Sequence, residues 1–180
     1  RLLLIQQKMY DEIIKGADTE VSDEEAKEVS KDWEINKAPD LTEKAFLSAV
    51  KLYIAAKREI EAEGNVVGIG CNCLNESMYS DTTPCLAWNM LFEKDGIIFA
   101  CEGDTLTLLS NYLIHGSLDC PFMMTNVYPF LVGMAALAHE KIDKFPDIKD
   151  PDNHALGVHC GYFGLVARHT WPLRPRLVWK

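Results

Sequence analysis

The run Ile97–Asp104, Ile-Ile-Phe-Ala-Cys-Glu-Gly-Asp, constrains the fold of this chain more than any other segment. Four apolar residues and a cysteine in succession suit a buried strand in the middle of a parallel sheet. The run ends in an acidic pair and leads into Thr105–Ile114, which reads as a helix. In open α/β sheets, ligands and catalytic groups collect at the carboxyl ends of such strands. A carboxylate there must find strong partners or its pKa rises, because an unpaired buried charge is costly. Two later segments repeat the design. Pro121–Val127 and Ala155–Gly161 are short apolar runs, each ending in a group able to ligate or hydrogen-bond. Three strand ends thus offer Glu102, Asn126 and His159 to one site.

The rest of the chain reads as helices first and alternating elements later. Arg1–Lys15 has apolar residues at 2, 5, 9 and 13, with Gly16 as a C-cap, and predicts a helix. Ser22-Asp-Glu-Glu25 has capping-box spacing and opens a short acidic helix to about Trp33. Asn36–Asp40 is a loop. Thr42–Glu63 is a long amphipathic helix with Phe46, Val50, Tyr53, Ile54 and Ile60 inward. From Val66 the pattern changes. A strand Val66–Cys71, a helix Pro84–Glu93, the strand at 97–101 and its helix follow, with a further helix over Leu131–Lys141 and a polar loop Phe145–Asn153. This rhythm predicts an α/β fold: a mainly parallel sheet flanked by helices, with a helical N-terminal segment. The expected division is a helical segment over 1–63, an α/β domain over 64–165, and the start of a further domain over 166–180.

Composition narrows the function classes. The chain has 180 residues, a net charge of −9 and no dense basic stripe, which argues against nucleic acid as a partner. No apolar run approaches the roughly 18 residues of a membrane span. The opening Arg-Leu-Leu-Leu-Ile-Gln-Gln-Lys is too soon polar for a signal peptide, and the chain is expected to begin inside a larger, cytoplasmic protein. The 6 cysteines stand mostly among apolar residues. There a thiol behaves as a small hydrophobe, so a reducing compartment is expected.

Four motifs, Cys71-Asn-Cys-Leu-Asn-Glu76, Ala100-Cys-Glu-Gly-Asp104, Met124-Thr-Asn-Val-Tyr-Pro-Phe130 and Val158-His-Cys-Gly161, resemble the L-fucose isomerase / L-arabinose isomerase family of metal-dependent sugar isomerases. The resemblance spans roughly residues 65–165 and is strongest at Glu-Gly-Asp, which arabinose isomerases also carry before a helix. It implies that Glu102 is a metal ligand and acid/base group and that His159 is a ligand. The family's second carboxylate falls near Asn126, where this chain has an amide. An amide oxygen can coordinate a hard cation but takes no proton at neutral pH. The resemblance further implies a homo-oligomer, and an isolated 180-residue chain with little activity.

Each candidate also has a structural explanation. Glu102 can cap the helix that follows, although Asp104 stands better placed as its N-cap. A lone His159 in an apolar strand is often a hydrogen-bonded core residue. Glu76, in a loop after the first strand, is a solvated carboxylate or a substrate contact. Tyr128 and Trp88 can stack on a sugar ring or pack in the core, and Met123-Met124 is most simply core. Cys71-Asn-Cys73 invites zinc, but one intervening residue is short for a structural site.

Aldose–ketose interconversion moves a proton between C1 and C2 through an enediolate, with a carboxylate as shuttle. Oxygen ligands with one imidazole suit Mn²⁺, and also Mg²⁺ or Co²⁺. The expected activity is therefore a metal-dependent sugar isomerase acting on a small sugar. Glu102 and Asn126 are its catalytic candidates, Glu102, Asn126 and His159 its metal ligands, and Glu76, Asp104 and Tyr128 its substrate contacts. The alternatives are a non-catalytic sugar-binding or structural module of the same family, and a metal- or thiol-binding protein built on the cysteines.

Overall fold

The computed structural model describes residues 2–5, 7–31, 33, 41–73, 82–118, 124, 126–129 and 148–158. They form an α/β mixture in which helix predominates. In chain order the elements are β1 Leu2–Ile5, α1 Gln7–Glu20, α2 Asp23–Ser30, α3 Glu43–Glu63, β2 Gly68–Cys71, α4 Cys85–Asp95, β3 Ile98–Ala100, α5 Thr105–Leu118, β4 Asn126–Pro129 and β5 Ala155–Val158. Single 3₁₀ turns, Cys101–Gly103 and Pro151–Asn153, follow β3 and precede β5.

β1, β2 and β3 pair in that order, all parallel, with Leu2 opposite Gly68 and Gly68 opposite Ile98. Every residue of β2 and β3 is buried, as expected of parallel strands covered by helices. α1 packs on α3, α3 on α4, and α5 against β2 and β3. One apolar core runs from Tyr10 to Leu108 and includes residues on both sides of Gly64.

Local chemistry explains several helix ends. Ser22 Oγ accepts the Glu25 N–H at 3.1 Å, the bond its capping-box spacing predicts. Thr42 Oγ1 accepts the Ala45 N–H at 3.2 Å, and the long helix runs to Glu63 as the pattern indicates. α4 stops at Gly96, whose left-handed backbone (φ 68°) returns its N–H to the Leu91 and Phe92 carbonyls and turns the chain into β3. Across the helix layer, Tyr53 Oη donates to Asp95 at 2.9 Å, and Lys51 pairs with Asp23 at 2.6 Å. Lys51 holds the Asp23 carboxyl below its ordinary range. α5 contains no Asp, Glu, Lys or Arg, and Leu106, Leu109, Leu113 and Leu118 stand exposed along it.

Two expectations are corrected. The N-terminal segment is not helical from its start: Leu2–Ile5 is the edge strand of the sheet, and α1 runs from Gln7 through Gly16 to Glu20. A continuous apolar run such as Leu-Leu-Leu-Ile does not distinguish helix from strand by periodicity. The open edge of β2 decides it by supplying backbone partners.

The second correction concerns the two later strands, which do not extend the parallel sheet in the described residues. β4 begins at Asn126 instead of ending near it, and it pairs antiparallel with β5 in a separate two-stranded sheet. Val-Tyr favours extended backbone, and Pro129 can close a strand because a terminal position needs no N–H there. The expected helix over 131–141 lies outside the described residues.

Candidate functional site

The parallel register brings the carboxyl ends of β2 and β3 side by side. Gly70 is opposite Ala100, so Cys71 and Cys101 are the next residue of each strand. Beyond them the chain turns in two different ways. β2 leaves through Asn72 and Cys73. β3 makes the tight turn Cys101–Gly103, then Asp104, then α5.

The Glu-Gly-Asp motif divides along this turn. Gly103 has φ +73°, and a Cβ on it would meet Cys71 C and Asn72 N at 3.5 Å. Glycine is required there by the left-handed backbone, which is costly for an L side chain. Asp104 caps α5. Its Oδ1 accepts the Thr107 N–H at 3.0 Å, its Oδ2 accepts the Thr107 hydroxyl at 2.7 Å, and its carbonyl accepts the Leu108 N–H at 2.9 Å. The Thr107 N–H, then its hydroxyl, holds the exposed Asp104 carboxyl below the ordinary carboxylate range. Two of the three motif residues are thus accounted for by turn and cap. Glu102 lies at the centre of the turn by its backbone, and its side chain is outside the described part of the structure.

α5 is pinned to the same strand from the other side: buried Asn111 donates to the Phe99 carbonyl at 3.2 Å. Met124 completes the edge. Its Sδ accepts the Cys101 N–H at 3.2 Å, just past the end of β3. The sequence reading treated Met124 as core only. The sulfur contact could not be read from a Met-Met pair.

The remaining candidates are placed less closely. Asn126 and Tyr128 lie on β4, all four of whose residues are exposed. Asn126 is opposite Val158, the residue before His159. His159 and Glu76 lie outside the described residues. Among the described residues, no three His, Cys, Asp or Glu side chains are grouped so as to hold a metal ion, and no helix is long and apolar enough to cross a membrane.

Sequence reasoning missed a group of thiols. Cys73 Sγ lies 3.3 Å from Cys101 Sγ. Cys71 hydrogen-bonds to Cys73, and Cys85, the first residue of α4, to Cys101. All four side chains are buried and none is in a disulfide. Hydrogen bonding among the thiols, reinforced by burial, pushes the Cys71 and Cys101 thiols far up. The available signal was that Cys71 and Cys101 end neighbouring parallel strands. No known protein family, curated protein or solved structure matches this chain.

Proposed function

We propose that this chain carries the metal-binding half-site of an aldose–ketose isomerase, on a mainly parallel sheet, in a cytoplasmic homo-oligomeric enzyme resembling the fucose and arabinose isomerases. One observation supports this reading above the others. Three of the four motifs that carry the resemblance meet at a single sheet edge: the end of β2 from Cys71, the Ala100–Asp104 turn, and Met124 bonded to Cys101. That edge is where α/β sheets bind ligands. Glu102 is the one residue of Glu-Gly-Asp that neither the turn nor the cap requires, which leaves it available for chemistry.

The donor set of Glu102 carboxylate, Asn126 amide and His159 imidazole is chemically suited to Mn²⁺, with Mg²⁺ or Co²⁺ as substitutes. A bound cation of this kind polarises the sugar's carbonyl and hydroxyl oxygens. Glu102 takes the proton from one of C1 and C2 and returns it to the other. Asn126 can hold a hydroxyl through its amide but takes no part in proton transfer. Asp104, fixed by Thr107 and exposed at the edge, retains lone pairs for a sugar hydroxyl. Glu76 and Tyr128 are further candidates for sugar contacts.

The amide at Asn126, on an exposed strand, favours a second reading: a sugar-binding module without turnover. One experiment separates the two. The intact protein, stripped by chelation and reloaded with Mn²⁺, is assayed for aldose–ketose interconversion beside Glu102→Gln. The isomerase reading expects metal-dependent turnover that falls at least about 10²-fold in the variant, with an unchanged circular dichroism spectrum. Sugar binding without turnover supports the module. Wild-type turnover in Glu102→Gln overturns the mechanism.

A further inference from the structure

The thiol group at the ends of β2 and β3 has a chemistry of its own, independent of the isomerase reading. Cys73 and Cys101 are 28 residues apart in sequence, and their sulfurs are 3.3 Å apart. A disulfide requires about 2.05 Å, so closure is a movement of roughly 1.3 Å, within reach of small side-chain rotations. The two backbones are already held together by the parallel register of β2 and β3. Cys101 is held on its other side by the bond from its N–H to Met124. Ordering of this kind is the main entropic cost of forming a cross-link, and here the fold has met it in advance.

We propose that Cys73 and Cys101 are a redox-convertible dithiol that joins, when a low-molecular-weight disulfide such as oxidised glutathione prevails, into a bond clipping the ends of β2 and β3. One cysteine, as thiolate, attacks a sulfur of oxidised glutathione and expels a glutathione thiolate, leaving a mixed disulfide. The second cysteine attacks the protein sulfur of that mixed disulfide and expels the second glutathione. The protein loses two electrons and two protons, and two molecules of glutathione are formed. Exchange requires the attacking sulfur to reach the disulfide as a thiolate, and both thiols are buried. Formation is therefore slow, and the finished bond is shielded from reductants.

Cys71 and Cys85 flank the pair without competing for it. Cys71 and Cys73 are separated by one residue at the end of the same strand, so a bond between them would not join β2 to β3. Cys85 is the first residue of α4, so a bond from it to Cys101 would tie that helix and not β2 to β3.

The test is equilibration of the intact, folded protein in glutathione buffers from fully reduced to fully oxidised, followed by acid quench, alkylation under denaturing conditions, digestion and mass mapping. The expected product has lost two hydrogens and joins the Cys73 peptide to the Cys101 peptide, with Cys71 and Cys85 alkylated. Its melting temperature is higher than that of the reduced protein, and dithiothreitol in denaturant restores all thiols. Cys71→Ser and Cys85→Ser retain the cross-link, whereas Cys73→Ala and Cys101→Ser lose it. The wild-type map decides the matter even where a variant fails to fold. Equilibration in oxidised glutathione that leaves Cys73 and Cys101 alkylatable, a glutathione adduct without the internal bond, or any other pairing overturns the proposal.

Discussion

The three-stranded sheet and the β4–β5 pair are built from similar short apolar runs, yet they meet opposite conditions. β2 and β3 are buried along their whole length, with α5 packed on both and pinned to β3 by Asn111. β4 is exposed along its whole length, and Val127 retains 67% of its accessible surface. The first sheet draws its stability from apolar area removed from water. The second rests on backbone hydrogen bonds between two four-residue strands, which are marginal when isolated. An apolar run therefore specifies a strand firmly only where helices of the same chain cover it.

Substitutions in the two sheets should separate accordingly. The largest effect is expected at Ile69, in the middle of β2 with 0% of its surface exposed. Ile69→Ala should cost about 2–5 kcal/mol in denaturant unfolding; a loss below about 1 kcal/mol would mean that β2 is not the centre of the core. Next comes Gly103. Gly103→Ala should cost about 1–2 kcal/mol, and Gly103→Val more, because the left-handed turn excludes side chains. Equal stability of Gly103→Ala and wild type would break the account of the Glu-Gly-Asp turn.

A smaller, pH-dependent effect is expected at Asp104. Its folded carboxyl titrates below the ordinary value, so it stabilises the protein above the unfolded carboxylate range near about pH 4, and the contribution fades as pH falls through the folded value. The gap in melting temperature between wild type and Asp104→Ala should stay level near neutrality and narrow in acid. A gap that widened on acidification would contradict the cap. The smallest effect belongs to the other sheet: Val127→Thr should change stability by no more than about 0.5 kcal/mol. A large loss there would show that β4 is covered by something in solution and would dissolve the contrast.

Much of the covered region was legible in advance because its signals are local. Ser22 and Thr42 as caps, the Thr42–Glu63 helix, the strand before Glu102 and Asp104 as the cap of α5 all follow from side-chain periodicity and from the few residue types that satisfy free backbone groups. The candidate site was legible to the extent that Glu102 and Asp104 stand at the end of a buried strand. Glu76 and His159 fall outside the described residues, and Asn126 was placed at the wrong end of its strand.

What the sequence determined by itself, then, is where helices begin and end and which runs are apolar enough to be strands. Only the tertiary structure decided that Leu2–Ile5 joins β2, that β4 and β5 run antiparallel in a sheet of their own, and that Met124 and four cysteines gather where β2 and β3 end. The reason is the range of the forces involved. Caps and periodicity act over three or four residues, while strand partners and sulfur contacts are made between segments tens of residues apart. For those, one apolar run resembles another until the chain has folded.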